Sequence, residues 1–296
     1  MKLSRVGEDR LLAELLRSLR VAKTVVAAAG DDCAVVRLRD SRDFLVLKTD
    51  CVVESVHFSA SAKPTDVGWK AMMRPLSDFA ATSALPHFAL VTLIVCRETE
   101  ARRIKQIYRG LTRAAALFAV SIVGGETSST PGPMTICVSV AGFVEKNRFV
   151  TRRAGKVGDD LFVTGRLGGA LRHKHLRFVA RIAEARWLTD KFSIHAMIDL
   201  SDGLGTDLPR LARASNVGFN VDMQNLPLSR GCNINNALSE GEDYELLFAI
   251  SPRDRERLQA TWRRKFPKLP LTRIGSFDRQ PAIDNRQLLR GYVHFQ

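Results

Sequence analysis

A set of acidic residues stands at predicted turns and strand ends, where a carboxylate can do more than solvate a surface. The set comprises Asp31, Asp32, Asp50, Asp78, Glu126, Asp199 and Asp202. Carboxylates that converge repel one another, and hard divalent cations relieve that repulsion through oxygen ligands. Few His or Cys residues are grouped as ligands, which favours Mg²⁺ over zinc. The set therefore predicts a magnesium site if the fold brings these side chains together.

Asp50 shows how these acidic residues are placed. The apolar run 44–47 predicts a buried strand, and we expect that strand to end at Asp50. A carboxylate there would be held rigidly above the sheet edge, so we predict Asp50 as a metal ligand and His57 as a substrate contact. The alternative is that Asp50 only caps the next turn. Comparable strand ends at Glu126 and Asp199 favour the interpretation of Asp50 as a metal ligand over that of a turn cap.

Glycine-rich phosphate-binding motifs are largely missing from the chain. The dipeptide Gly155-Lys156 has Val150 where a P-loop requires glycine. The glycine fingerprints of protein kinases and of dinucleotide-binding folds are also absent from the sequence. The pair Gly124-Gly125 could let backbone amides approach a phosphate, with an ordinary turn as the alternative.

Apolar periodicity predicts alternating helices and strands along the whole chain. Helical spacing indicates helices over residues 8–20, 65–80, 99–119, 176–188, 203–215 and 252–265. Apolar runs indicate strands within 30–36, 44–49, 88–96, 121–127, 134–144, 160–165, 196–203, 218–222, 245–250 and 271–275. We expect Pro75 to kink or break its helix. Asp78, which follows, is then either solvated or aimed into a cleft.

The basic segment 146–158 has little apolar character and predicts a domain boundary. We therefore expect an N-terminal domain over residues 1–148 and a C-terminal domain over 149–296. Because strands and helices are mixed in both halves, the predicted fold class is α+β, with two mixed α/β domains.

Composition limits the classes of function. The net charge of +14 would suit a nucleic-acid binder, but the basic residues are scattered and no DNA- or RNA-binding motif accompanies them. Five scattered cysteines favour reduced thiols and a cytoplasmic protein. The longest apolar region, 79–95, is interrupted by polar residues and proline, so we expect no membrane segment.

Several motifs in order along nearly the whole chain resemble the thiamine-monophosphate kinase family. In the first half they are Gly30-Asp-Asp32, Lys48-Thr-Asp50, Glu54-Ser-Val-His-Phe58, Leu76-Ser-Asp-Phe-Ala-Ala81 and Val123-Gly-Gly-Glu-Thr127. In the second half they are Thr151-Arg152, Gly158-Asp159, Val163-Thr-Gly165, Ile198-Asp-Leu-Ser-Asp-Gly-Leu204, Glu240-Gly-Glu-Asp-Tyr-Glu-Leu246 and Gly291-Tyr-Val-His-Phe295.

The resemblance implies a fold of the aminoimidazole-ribonucleotide-synthetase superfamily and phosphorylation of thiamine monophosphate by ATP with several Mg²⁺ ions. It also implies a homodimer whose N-terminal sheets form a shared barrel. By motif, the metal ligands would be Asp32, Thr49, Asp50, Asp78, Glu126, Asp199 and Asp202. The ATP contacts would be Gly125, Glu126, Arg152 and Ser201. The substrate contacts would be His57, Glu242 and Tyr292, and the catalytic groups Asp50, Asp199 and Arg152.

Three residues depart from the family pattern. Glu126 stands where Asp is usual, Lys48 where a small hydroxyl residue is usual, and Glu240 in place of Gly. A cation at position 48 could replace one metal ion. Two other functions stay open at this point: another ATP-using activity of the same superfamily, and a non-catalytic nucleic-acid-binding relative.

Overall fold

Two β-sheets, one from each half of the chain, organise the computed structural model, which describes residue 6 and residues 8–279. The strands in this part of the chain are β1 Val25–Ala27, β2 Ala34–Arg37, β3 Asp43–Val53, β4 Leu85–Val95, β5 Ser121–Ser129, β6 Thr135–Glu145, β7 Asp160–Thr164, β8 Ile194–Asp199, β9 Gly218–Val221, β10 Leu246–Ile250 and β11 Leu271–Asp278. The helices are α1 Glu8–Arg17, α2 Pro64–Ala81, α3 Ala101–Leu117, α4 Ala170–His173, α5 Ile182–Lys191, α6 Leu204–Ala214, α7 Ile234–Ser239 and α8 Arg255–Lys265.

The first sheet has six strands in the order β1-β2-β3-β6-β4-β5, and the second has five in the order β8-β10-β7-β11-β9. Only β4 and β5 pair in parallel among these strands, and α3 forms the crossover between them. The mixed α/β organisation of both halves agrees with the predicted fold class. Within the described residues the first sheet is open, so the barrel expected from the resemblance is not formed by one chain.

Helix α2 lies at the centre of the molecule, packed against the first sheet, α3 and elements of the second half. Pro64 occupies its first turn, where a missing N–H is harmless. Its apolar residues Met72, Met73, Leu76 and Phe79 are fully buried in the core shared by both halves. Burial of these side chains favours the helix by roughly 1.5–3 kcal/mol each, far more than helix propensity alone contributes.

The expected break at Pro75 does not occur, because helix α2 continues to Ala81. Proline removes one backbone hydrogen bond, but the buried residues on both sides of it hold the helix together. The helix predicted over 176–188 is also displaced, since α5 begins at Ile182.

The predicted ends of two strands were wrong. Strand β3 runs on to Val53 and strand β5 to Ser129, so Asp50 and Glu126 lie within strands rather than where strands leave the sheet. In β3 the β-branched pair Val52-Val53 extends the pairing with β6 beyond Asp50. Side chains alternate along β3, which places Asp50 on the helix-covered face.

The described part of the chain contains no helix that is both long and apolar enough to span a membrane.

Helices α2 and α3 approach closely at two glycines. A Cβ added to Gly68 would lie 1.9 Å from the carbonyl oxygen of Ile107, and one added to Gly110 would lie 2.0 Å from that of Thr65. Because backbone atoms cannot move aside as a flexible side chain can, any side chain at either site must separate the helices.

We therefore expect Gly68→Ala to lower the free energy of unfolding by about 1–3 kcal/mol or more, as overpacking does. Urea denaturation followed by circular dichroism measures this change. Gly132→Ala is the matched control, because Gly132 is exposed and the added Cβ meets only the Thr130 hydroxyl, at 3.3 Å. Equal stability of the two variants would show that the close helix contact is not formed.

Candidate active site

Three carboxylates from distant parts of the sequence meet between the two halves of the protein. Asp32 precedes β2, Asp78 lies near the end of α2, and Asp199 ends β8. One oxygen from each can be chosen so that all lie within 4.8 Å of one another. The three residues are only 2%, 7% and 3% exposed, so water screens their repulsion poorly. The structure thus gathers three of the predicted metal ligands.

This proximity changes the protonation of the acids. Burial, reinforced by the charge of Asp32, raises the pKa of Asp199 to about 7, although the Ser77 hydroxyl opposes the shift by donating to Asp199 Oδ2 at 2.6 Å. Burial also raises the pKa of Asp78 well above its ordinary value; Lys48 opposes this, while Asp199 and Asp50 add to it. Ionising the cluster fully therefore requires additional positive charge.

Fixed cations supply part of that charge. Lys48 Nζ lies 3.0 Å from Asp78 Oδ1, and Arg74 Nη2 lies 3.2 Å from Asp50 Oδ1. Arg152 donates from Nε and Nη2 to the two oxygens of Asp32. Each carboxylate keeps oxygen lone pairs beyond these contacts, and an all-oxygen set of donors suits a hard cation such as Mg²⁺.

A polar stripe along α2 connects the cluster with the second half. It consists of Lys70, Arg74, Ser77 and Asp78, whose spacing places them along one side of the helix. Only Asp78 among them is predicted from the sequence as a site residue. The sequence does carry a signal for the others, because these polar residues recur at spacings of three or four within an otherwise apolar helix.

The stripe begins at a small cavity of about 100 Å³ whose lining includes His57, Arg74, Ser201, Asp202 and Glu242. The structure thus brings the predicted substrate contacts His57 and Glu242 together with the predicted ATP contact Ser201. The cavity lies near the acidic cluster, since Arg74 lines the cavity and pairs with Asp50, whose charge acts on Asp78.

Glu242 is held firmly at this cavity. Lys70 Nζ lies 2.6 Å from both of its carboxylate oxygens and also donates to the His57 carbonyl at 2.6 Å. His175 Nδ1 lies 3.0 Å from Glu242 Oε2. Burial lowers the pKa of Lys70 to about 8 even though Glu242 favours the charged amine. Burial opposes ionisation of Glu242, but His175 and Lys70 together lower its pKa.

Other predicted site residues lie apart from the cluster. The Thr49 side chain is on the open face of the first sheet, where its hydroxyl accepts from Ser139 at 3.0 Å. Glu126 is exposed on β5 and accepts from the Thr127 amide at 3.0 Å. Asp202 is paired with Arg210.

Gly125 lies beside Glu126 on β5, where β5 approaches β4 closely. A Cβ at Gly125 would lie 1.8 Å from the Val91 carbonyl oxygen, so only glycine fits there. The predicted substrate contact Tyr292 lies outside the described residues.

Comparison with known proteins identifies the family. The family model described as AIR synthase related protein, N-terminal domain, matches residues 30–144, and that of the C-terminal domain matches residues 154–276. Thiamine-monophosphate kinase of Rhodopirellula baltica is 34% identical over 286 residues, which cover 90% of this chain and 88% of that protein. The chain belongs to the thiamine-monophosphate kinase family. The family predicted from the motifs is confirmed.

Further relatives agree with this assignment. Thiamine-monophosphate kinase of Aquifex aeolicus is 33% identical, with 100% of each chain covered. The solved structure of AaThiL complexed with AMPPCP and TMP has a TM-score of 0.82 and 31% identity, covering 100% of this chain and 96% of that one. The family likeness therefore extends over both halves and includes the elements that carry the acidic cluster.

The raised pKa of Asp199 predicts how stability depends on pH and Mg²⁺. The pKa is about 7 in the fold against an ordinary 3.8, so the metal-free folded state binds the extra proton. The contribution of Asp199 to stability therefore falls as pH rises from about 4 to 7 and stays low above that. Mg²⁺ requires the ionised acids, so it should raise the melting temperature more at about pH 8 than at about pH 5.5.

Differential scanning fluorimetry with and without Mg²⁺ measures this effect. Asp199→Asn should lose most of the Mg²⁺-dependent increase, whereas Asp40→Asn, at an exposed turn, should keep it. An increase of the same size in wild type and Asp199→Asn would show that Mg²⁺ binds elsewhere.

Proposed function

We propose that this protein transfers the terminal phosphoryl group of ATP to the phosphate of thiamine monophosphate, forming thiamine diphosphate. The observation that carries the proposal is the convergence of Asp32, Asp78 and Asp199, which come from three family motifs, in one buried cluster. The family relationship supplies the substrates, since AaThiL has been solved with AMPPCP and TMP.

Asp32, Asp78 and Asp199 would hold Mg²⁺, with Asp50 beside them. Thr49, Glu126 and Asp202 stay in the proposed ligand set for several ions on the strength of the family motifs alone, since the Thr49 side chain lies on the opposite face of the first sheet and Asp202 is paired with Arg210. When bound, Mg²⁺ neutralises negative charge on the transferring phosphoryl group. Lys48 already contributes one positive charge at this point.

Several protein groups would position the phosphates of ATP and neutralise their charge. Arg152 is oriented by its two bonds to Asp32 and can turn its remaining donors towards the nucleotide. Gly125 is a proposed ATP contact through its backbone, on the strength of the family motif, and Ser201 lies at the cavity next to the cluster. These contacts are proposed for ATP.

The acceptor requires no general base. The second pKa of a phosphate monoester is about 6, so the attacking oxygen is largely ionised at neutral pH. The obstacle is the repulsion between two polyanions, and catalysis consists of alignment and charge neutralisation. We therefore assign Asp50, Asp199 and Arg152 to alignment of a direct in-line transfer, without a phosphoenzyme.

The acceptor itself is assigned to the small cavity. His57 and Glu242 lie there together, and Lys70 and His175 fix the Glu242 carboxylate in place. Glu242 would thus present a fixed carboxylate to the acceptor. Tyr292 remains a proposed stacking contact from the family motif.

We also propose a homodimer formed through the open face of the first sheet. That face carries the exposed apolar residues Leu47, Phe88, Leu90 and Val123, and it borders a cavity of about 780 Å³. A patch of this kind favours association, because burying it removes apolar surface from water.

The division at residues 148 and 149 remains our proposal for the two domains. It is supported by the end of β6 at Glu145 and the start of β7 at Asp160. We propose a cytoplasmic location, supported by the free thiols of Cys33, Cys51, Cys96, Cys137 and Cys232.

The enzymatic proposal is tested by incubating purified protein with ATP, Mg²⁺ and thiamine monophosphate and measuring thiamine diphosphate by chromatography. Asp50→Asn should reduce turnover by about 100-fold or more, because it removes a charge from the site that aligns the phosphates. Asp43→Asn, at the start of the same strand, is the matched control and should retain activity. An inactive wild type would refute the function; wild-type rates in Asp50→Asn would refute the role of Asp50.

The dimer is tested by size-exclusion chromatography with light scattering. Leu90→Lys should convert the dimer into a monomer, because the apolar face would have to bury an amine. Leu117→Lys changes a similarly exposed leucine at the end of α3, and it should remain dimeric. A monomeric wild type, or a dimeric Leu90→Lys variant, would contradict the proposed interface.

A further inference from the structure

Arg74 has an unusual combination of burial and unpaired donors. Its side chain is only 14% exposed, and its one ion pair among the described residues joins Nη2 to Asp50 Oδ1 at 3.2 Å. Its Nε and Nη1 atoms are buried, with no hydrogen-bond partner in the part of the chain that the structure describes. A buried guanidinium N–H without a partner destabilises the protein, so these donors point to a ligand.

The position of Arg74 indicates which ligand would accept these bonds. Arg74 lines the cavity of about 100 Å³ that also contains His57 and Glu242. A water molecule needs ~10–15 Å³ measured in this way, so the cavity has room for several oxygen-sized groups, as a phosphate requires. The whole thiamine skeleton would have to extend beyond it.

Among the charged side chains at this cavity, Arg74 is the cation that keeps N–H donors without a partner in the described part of the chain. Glu242 is neutralised by Lys70, and Asp202 is paired with Arg210. Burial opposes the charged guanidinium, but Tyr244 and Asp50 raise the pKa of Arg74, so it stays charged at any working pH.

We propose that Arg74 binds the phosphate of thiamine monophosphate and makes the site selective for the phosphorylated substrate. Through Asp50, whose charge acts on Asp78, the same guanidinium links the acceptor cavity to the acidic cluster, so a phosphate bound there would lie next to the proposed metal site. Thiamine itself, which lacks this phosphate, leaves the buried donors unpaired and binds poorly. This inference rests on the function proposed above.

The test compares the affinities of thiamine monophosphate and of thiamine by isothermal titration calorimetry, with the full-length protein. Wild type should prefer the monophosphate, and Arg74→Gln should reduce that preference about 10- to 100-fold, as expected for loss of hydrogen bonds to a charged group. Affinity for a non-hydrolysable ATP analogue should change by less than about threefold. Arg74→Lys should retain part of the preference, because it keeps the charge.

Arg109→Gln is the matched control, because Arg109 is exposed on α3 and is not among the residues that line the cavity. It should keep the full wild-type preference. If Arg74→Gln fails to fold because Asp50 loses its partner, the double variant Asp50→Asn with Arg74→Gln removes both charges together. That variant should show the same loss of preference in binding, which does not depend on turnover.

The outcomes separate the possible roles of Arg74. An unchanged preference in Arg74→Gln, together with a changed Mg²⁺ dependence of melting, would make Arg74 only a counter-ion of Asp50 and would overturn the inference. If wild type forms thiamine diphosphate but Arg74→Gln keeps the preference for the monophosphate, only the role of Arg74 is overturned. Wild type that forms no thiamine diphosphate overturns the proposed function, and this inference with it.

Discussion

Repulsion between three buried carboxylates is the interaction on which the rest of this structure depends. Asp32, Asp78 and Asp199 approach one another where little water is present to screen them. Placing ionised acids together in this way is unfavourable for folding. The arrangement persists because nearby cations and the apolar core offset its unfavourable free energy. The same arrangement is useful in catalysis, because it attracts positive charge to the place where two phosphates must meet.

The cations that balance the cluster have different geometries and therefore different roles. Arg152 forms two bonds to Asp32, which fixes both side chains, while Lys48 makes a single contact with Asp78. Arg74 contacts Asp50 and still has donors for another group. Part of the negative charge of the site is thus neutralised by the protein's own cations, and the rest can be neutralised only by bound ligands.

Helix α2 explains how distant residues reach this site. Its apolar sides are buried against both halves of the protein, and the close approach of the two helices at Gly68 and at Gly110 fixes it against α3. Because the helix cannot shift easily, the polar stripe that begins at Lys70 presents each side chain at a fixed position. The stripe joins the acceptor cavity to the acidic cluster within about two turns.

Motifs in the sequence were sufficient to predict the family and three members of the cluster, because each motif is local. The ends of β3 and β5 could not be placed, since polar residues such as Asp50 do not end a strand that pairs along its full length. The position of Thr49 on the opposite face follows from strand alternation once β3 is known to continue. Lys70 and Arg74 were missed because Lys70 meets a partner 172 residues away, at Glu242, and no local pattern records such a contact.

The most direct test of the central claim is to locate bound metal by anomalous X-ray diffraction from crystals soaked in Mn²⁺ as a substitute for Mg²⁺. If these three carboxylates bind the metal, an anomalous peak should lie within coordination distance of oxygens from Asp32, Asp78 and Asp199. Ordered carboxylates without a peak between them, while Mn²⁺ occupies other sites, would contradict it.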